Sequence, residues 1–256
     1  MVMKKVFWII LCMFFILPVI FAENMKLHYE RPAEYFEEAL VIGNGTMGAT
    51  LYGGVKKDKI SFNDITLWTG EPESENSSPD AFNAIPEIRA LLDNEDYQGA
   101  DKAQYKVQGH YSENYQPLGT LTIEYLDDTV GISDYHRWLD IGNATARTQY
   151  LKGGKLFTSD YFASAPDSVI VIRLKSENKE GIHALLSFDS PLPHSSQVAD
   201  NEISVEGYAA YHSFPVYYKA EDKHRYDPER GIHFKTLVRV LSVDGRVKNR
   251  YSDSRI

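Results

Sequence analysis

The chain has 256 residues, of which 43% are hydrophobic and 25% are charged, and this balance excludes a disordered or collagen-like protein. The net charge of −9 argues against a nucleic-acid binder, which needs a basic face to neutralise phosphates. One cysteine, Cys12, excludes both a disulfide framework and a cysteine-based zinc site.

The first 22 residues have the pattern of a secretory signal peptide. A basic pair, Lys4–Lys5, precedes the apolar run Val6–Ile20, and Ala22 is a small residue at a suitable cleavage point. An uncleaved membrane anchor is the alternative, but Pro18 interrupts a run that is shorter than the roughly 20 residues a span needs. We therefore expect a secreted or periplasmic protein without a stable membrane span, whose mature domain comprises residues 23–256.

Short apolar segments predict a strand-rich domain. Ala39–Ile42 is interpreted as a strand, Ala49–Val55 as its hairpin partner and Lys59–Asn63 as a third strand. Further strands are predicted at Leu121–Tyr125, where apolar and polar residues alternate, and at Ala144–Tyr150, Lys155–Ser164, Ser168–Leu174, His183–Asp189, Glu202–Gly207, Val216–Ala220 and His233–Val243. Many strands without alternating helices favour a mainly β fold, a large antiparallel β-sandwich of the supersandwich type.

A short helical insert is predicted near residues 86–107. Pro86 lies where a helix could begin, because the first helical turn tolerates proline. Ile88, Leu91 and Leu92 then form an apolar stripe at helical spacing, and Glu95–Val107 makes a second helical stretch.

The segment Gly43–Gly48 matches the G-x-G-x-x-G pattern of dinucleotide sites. Such a site needs a helix directly after the glycines, because the helix N-terminus holds the pyrophosphate. The residues that follow, Ala49–Gly54, favour a strand instead. We therefore predict a tight turn in which glycine permits positive backbone angles, and no nucleotide cofactor.

Asn63, Asp64 and Trp68 are the candidate substrate-binding residues. They lie close together at the end of a predicted strand. A flat indole stacks on the face of a pyranose, while short polar side chains bind its hydroxyl groups. The alternative is a buried tryptophan beside a capped turn.

The aromatic and charged segment Tyr135–Asp140 could hold a ligand. We favour a second interpretation, in which Arg137 pairs with Asp140 and fixes a loop. A charge-assisted pair of this kind is a common loop anchor.

The sequence singles out no catalytic residue and no metal. The eight histidines lack the H-x-x-x-H and H-E-x-x-H spacings, so we predict no catalytic metal. A G-x-S-x-G nucleophile elbow is absent as well. The carboxylates are dispersed, and a linear sequence does not give the separation that a glycosidase pair requires.

Seven blocks in a fixed order carry a family resemblance. They are Glu38–Ala49, Tyr52–Val55, Asn63–Gly70, Glu87–Leu92, Tyr115–Leu121, Tyr135–Asp140 and Tyr161–Asp167. In this order they resemble the N-terminal domain of glycoside hydrolase family 95, the α-L-fucosidase family, over about Leu27–Val243. The resemblance implies a large β-sandwich that is followed, in the family, by a linker and an (α/α)6 barrel.

The family resemblance also implies a function. Family members hydrolyse α-linked L-fucose with inversion and without a metal, some relatives prefer L-galactose, and the catalytic groups lie in the barrel. The sequence stops at Ile256, before that barrel, so we expect a truncated chain that is inactive alone. Its expected partners are a fucosylated glycan and the missing helical-barrel catalytic domain. A stand-alone carbohydrate-binding or structural module is the alternative.

Overall fold

The computed structural model describes residues 25–72, 80–109, 111–127 and 130–247. The predicted signal peptide, residues 1–22, lies outside these ranges. Within them, no helix is both long enough and apolar enough to cross a membrane. The described residues divide into two units: those within 25–67, 117–207 and 234–247 form a sandwich unit, and those within 68–116 and 208–233 form a second unit.

Strands dominate the described residues, and the predicted mainly β fold is confirmed. The strands are β1 (Lys26–Tyr29), β2 (Leu40–Gly43), β3 (Met47–Leu51), β4 (Lys57–Asp64), β5 (Gly119–Tyr125), β6 (Ile132–Asp140), β7 (Thr145–Lys152), β8 (Lys155–Ser164), β9 (Val169–Ser176), β10 (Ala184–Asp189), β11 (His194–Ala199), β12 (Glu202–Tyr208), β13 (His212–Ser213), β14 (His224–Arg225) and β15 (His233–Arg239). The helices are α1 (Ala81–Asp93) and α2 (Tyr97–Ala103), with short 3₁₀ turns at Phe36–Glu38 and Gln104–Lys106.

Two five-stranded antiparallel sheets form the body of the sandwich unit. One has the strand order β1-β6-β7-β8-β9 and the other the order β10-β5-β4-β3-β2. A three-stranded sheet, β11-β12-β15, and the two-stranded ribbon β13-β14 are also present. Tight hairpins connect many neighbours, as at Gly153-Gly154, where both glycines have positive φ angles.

Alternation along the strands places the core between the two large sheets. In β5 the side chains of Leu121, Ile123 and Tyr125 are buried and those between them are half-buried, as the sequence predicts. They belong to one hydrophobic cluster with Tyr150 and Phe157 of the other sheet. Burying one face of each strand against the opposite sheet is the defining feature of a sandwich, and the predicted β-sandwich is confirmed.

One predicted strand, Val216–Ala220, is wrong. The chain forms a turn here, closed by a hydrogen bond from the Tyr218 N–H to the Pro215 carbonyl of 2.9 Å. Val216 is 87% exposed, so the apolar residue that suggested a strand has no sheet to pack against. Five strands were not expected. β1, β6 and β11 are rich in polar residues, and β13 and β14 have only two residues each, too few to form a pattern.

The helical insert is confirmed, but its predicted start is wrong. Helix α1 begins at Ala81, and Pro86 lies inside it. Proline removes the hydrogen bond that would reach back to the carbonyl of Phe82. Phe82 lies on the exposed surface, where water can solvate that carbonyl, so the helix continues through the proline. Helix α2 is capped by the Asp96 side chain, which accepts a 2.9 Å hydrogen bond from the Gly99 N–H.

The glycine-rich segment is a hairpin turn between β2 and β3, as predicted. The Asn44 side-chain oxygen accepts hydrogen bonds from the N–H groups of Thr46 (3.1 Å) and Met47 (2.8 Å). Gly45 has a φ angle of +95°, which glycine adopts without steric cost. A strand follows instead of a helix, so this turn lacks the helix N-terminus of a dinucleotide site.

Arg137 fixes a loop, but its predicted partner is wrong. Its guanidinium is buried and donates hydrogen bonds to the carbonyls of Arg31 (2.7 Å) and Glu38 (2.8 Å). Asp140 accepts instead from the side chain and the N–H of Asn143, both at 3.0 Å. Arg137 and Asp140 lie on opposite faces of β6, because they are three positions apart along a strand of period two.

Candidate functional site

Asn63 and Asp64 lie at the end of β4 in the sandwich unit. They pair with Gly48 and Met47 of β3. The Asp64 carboxylate caps the next turn, because its Oδ1 atom accepts hydrogen bonds from the N–H (2.9 Å) and the hydroxyl (2.6 Å) of Thr66. Asn63 is exposed. The capped turn of the alternative interpretation is therefore present.

Trp68 lies in the second unit and forms an exposed aromatic pair with Tyr115. The two residues form an isolated antiparallel bridge, and their rings meet edge to face with centroids 5.5 Å apart. Trp68 is 42% exposed and Tyr115 39% exposed, so the alternative of a buried tryptophan is wrong. Aromatic faces that remain partly in solvent can stack on the apolar face of a sugar ring.

The backbone that carries this aromatic pair is held by side chains as well as by the bridge. The Thr69 N–H donates to the Asn114 carbonyl (2.8 Å), and the Asn114 N–H donates to the Thr69 hydroxyl (2.9 Å). The Asn114 amide in turn donates to the Ser213 hydroxyl at 2.7 Å. Thr69 and Ser213 are buried, so these bonds are shielded from water.

Glu113 is the centre of this polar network in the second unit. Its carboxylate accepts hydrogen bonds from the Thr69 hydroxyl, from the Ser213 N–H at 3.0 Å and from His212 Nδ1 at 2.8 Å. Because the carboxylate is the acceptor, Nδ1 of His212 carries the proton, and its Nε2 lies 3.2 Å from the Tyr111 hydroxyl. The network gives the exposed aromatic pair a rigid base.

Sequence reasoning missed this network. Glu113 and His212 are 99 residues apart, and neither lies in a recognisable motif. Tyr115 begins the block Tyr115–Leu121, which indicates the family but not a contact with Trp68. The proximity of a bulky aromatic residue to Trp68 depends on which strands pair, and no local pattern encodes that.

A groove of about 440 Å³ crosses one face of the sheet β1-β6-β7-β8-β9 in the sandwich unit. Its lining includes Trp138 and two carboxylates, Asp140 and Asp160. Burial opposes ionisation of Asp160, but hydrogen bonds from Arg173 and Arg147 outweigh it and lower the pKa of that carboxyl group.

Neither groove carboxylate is suited to act as a general acid. Hydrogen bonds from Asn143 lower the pKa of Asp140. A glycosidase acid needs a raised pKa so that it holds a proton near neutral pH. Burial raises the pKa of Asp58 to about 6, but this side chain is enclosed in the core, where no substrate can reach it.

The known proteins that the chain resembles are all glycoside hydrolases. The family model described as "Glycosyl hydrolase family 65, N-terminal domain" matches residues 27–255. The chain is 31% identical over 228 residues to α-L-fucosidase 2 of Arabidopsis thaliana, which covers 86% of this chain and 27% of that protein. It is 28% identical over 169 residues to a probable α-fucosidase A of Aspergillus niger, which covers 62% of this chain and 21% of that protein.

A third relative has the same description. The chain is 29% identical over 144 residues to a probable α-fucosidase A of Aspergillus oryzae, with 54% of this chain and 20% of that protein covered. The chain thus spans about a quarter of the length of the relatives it matches. The sandwich of antiparallel sheets and these matches make it a glycoside hydrolase-related module. The chain belongs to the family of the N-terminal domain of glycosyl hydrolase family 65.

Proposed function

We propose that this chain is the N-terminal β-sandwich domain of an exported, α-L-fucosidase-like glycoside hydrolase of family 95. The reaction of the whole enzyme is the inverting hydrolysis of α-linked L-fucose from glycans. The observation that carries the proposal is the similarity to α-L-fucosidase 2, which extends over 86% of the chain. Export is supported by the signal-peptide pattern of residues 1–22.

The domain supports catalysis but does not perform it. Asp140 and Asp160 are held ionised by their partners, and Asp58 is out of reach of a substrate. The relatives are about four times as long as the matched segment, so the longer protein has room for a separate catalytic domain. The partners of this domain are that helical barrel and a fucosylated glycan.

Asn63, Asp64 and Trp68 are the proposed substrate contacts. Asn63 is exposed, and its amide can both donate to and accept from sugar hydroxyls. One oxygen of Asp64 caps a turn, which orients the carboxylate. The exposed indole of Trp68 is supported by Tyr115 and offers a face for stacking.

Two assays with 2′-fucosyllactose test the proposal. The purified chain alone is expected to release no fucose, and release at a rate above the buffer control would contradict it. In the second assay, this chain replaces the aligned segment of the Arabidopsis relative. We expect the chimera to release fucose and the relative without its segment to be inactive. A chimera that folds but does not release fucose would argue against the assignment.

A stand-alone carbohydrate-binding module is the second candidate function. The exposed Trp68–Tyr115 pair on its buried polar base favours it. Titration of the chain with fucosylated glycans tests the module, which must bind them without a catalytic domain. Saturable binding that is lost in Trp68→Ala and kept in Tyr105→Ala, another exposed aromatic residue, supports the module.

A further inference from the structure

Three metal-ligating side chains meet at the β1–β6 edge of the sandwich unit. His28, Glu30 and His136 each place a ligand atom within 4.8 Å of the other two. None of them belongs to the candidate carbohydrate residues or to the polar network of the second unit. The sequence did not reveal the cluster because His136 is 108 positions from His28, and the two are joined only by strand pairing.

Strand register explains why these side chains converge. His28 lies in β1, and Glu30 directly follows Tyr29, the last residue of that strand. Tyr29 pairs with Arg137, the neighbour of His136 in β6, so the chain leaves β1 close to His136. The rings of His28 and His136 consequently stack, with centroids 5.1 Å apart and an interplanar angle of 29°.

The cluster is short of hydrogen-bond partners. The Nδ1 atom of His136 is buried and has no hydrogen-bond partner among the described residues. A buried polar atom without a partner costs about 1–3 kcal/mol. A bound cation would satisfy an imidazole lone pair, and imidazole nitrogen is a preferred zinc ligand.

The backbone beneath the cluster is held from the opposite face of the sheet. Arg137 donates a 2.7 Å hydrogen bond to the Arg31 carbonyl, and its guanidinium lies 4.2 Å from the centre of the Tyr29 ring. His28 and Glu30 are exposed and can rotate, whereas His136 is half-buried. Zinc–ligand distances of about 2.0–2.1 Å bring tetrahedral ligands to about 3.4 Å from one another. Small rotations of the two exposed side chains therefore close the site.

We propose that His28, Glu30 and His136 form a zinc site. Two imidazoles and one carboxylate are a known zinc ligand set, with water in the fourth position. The site links β1, a four-residue strand at the edge of its sheet, to the longer strand β6. Binding to the folded state alone raises stability, so zinc fastens the exposed edge strand.

Isothermal titration of the metal-free full chain with ZnCl₂ tests the site. We expect one saturable equivalent that is weakened at least about tenfold in His28→Ala and in Glu30→Gln, since even outer partners of zinc ligands are worth that much. His183→Ala is the control, because His183 is exposed and interacts with Asp127 instead. Zinc held by other groups, such as Cys12, is unaffected by these changes and cancels in the comparison.

A stability measurement separates zinc binding from misfolding. His28 and Glu30 are exposed, so both variants should match the unmodified chain in Tm when metal is absent. Adding zinc should raise the Tm of the unmodified chain and of His183→Ala but not of the two ligand variants. Equal zinc affinity in all four proteins, or no saturable binding to the unmodified chain, would overturn the proposal.

Discussion

The Tyr161 hydroxyl donates a 2.9 Å hydrogen bond to the Asp58 carboxylate, and both side chains are buried in the sandwich core. The N–H of Gly54 donates a second hydrogen bond of 2.9 Å to the same carboxylate. Burial nevertheless raises the pKa of Asp58 to about 6. The pair links β4 to β8 on the other sheet, so the charge state of Asp58 affects the contact between the two sheets.

The contribution of Asp58 to stability should fall as the pH rises through its titration. The pKa is raised in the folded state, so the folded protein holds a proton that the unfolded chain loses above about pH 3.8. The shift of about two units corresponds to roughly 3 kcal/mol, which is lost between about pH 4 and pH 6. In Asp58→Asn this pH dependence should disappear.

Chemical denaturation of both proteins at pH 4, 5, 6 and 7 checks this prediction. The difference between them isolates Asp58, because Glu38, Asp140 and Asp160 have lowered pKa values and titrate alike in both. Parallel stability curves across this pH range would contradict the prediction.

Gly54→Ala should prevent stable folding. A Cβ atom at this position would lie 2.0 Å from the carbonyl oxygen of Lys57, which belongs to the backbone and cannot rotate away. Relieving this clash would move the backbone and break the hydrogen bond from the Gly54 N–H to Asp58. We therefore expect the free energy of unfolding to fall by several kcal/mol. Gly142→Ala is the matched control, since its Cβ meets nothing closer than 3.5 Å. Thermal unfolding of the two variants should differ sharply.

Arg137→Lys should destabilise the sandwich unit by about 2 kcal/mol. A lysine ammonium has no planar fork to bind the Arg31 and Glu38 carbonyls at once, and it remains buried. Arg173→Lys is the control, because Arg173 is exposed and its pair with Asp160 should contribute under about 1 kcal/mol. Urea denaturation measures both. An equal fall in the free energy of unfolding in the two variants would show that the guanidinium of Arg137 has no special role.

Asp64→Ala should cost about 1 kcal/mol of stability, the usual value of a side-chain cap. The loss arises because the Thr66 N–H and hydroxyl both lose their acceptor. Asn63→Ala, at the exposed neighbouring position, should change stability by less than about 0.5 kcal/mol. Equilibrium denaturation compares the variants, and an unchanged midpoint for Asp64→Ala would exclude a capping role.

Local patterns determined the features that depend on one segment of chain. The alternation of Leu121, Ile123 and Tyr125 predicted a half-buried strand, because side chains of a strand alternate between two faces. The glycines at Gly43–Gly48 and Gly153-Gly154 predicted tight turns, because positive φ angles are cheap only for glycine. The order of the sequence blocks indicated the family, which the comparisons confirm as an N-terminal glycosyl hydrolase domain.

Only the tertiary structure decided which distant residues meet. Asp58 and Tyr161 are 103 residues apart, and Glu113 and His212 are 99 apart, so sheet pairing alone brings each pair into contact. The exposure of Trp68 could not be predicted either, because the local sequence is the same whether or not a sheet covers the side chain. Sequence thus determined most strands, the glycine turns and the family, because these depend on local geometry and block order. Burial, pKa shifts and side-chain clusters depend on long-range packing.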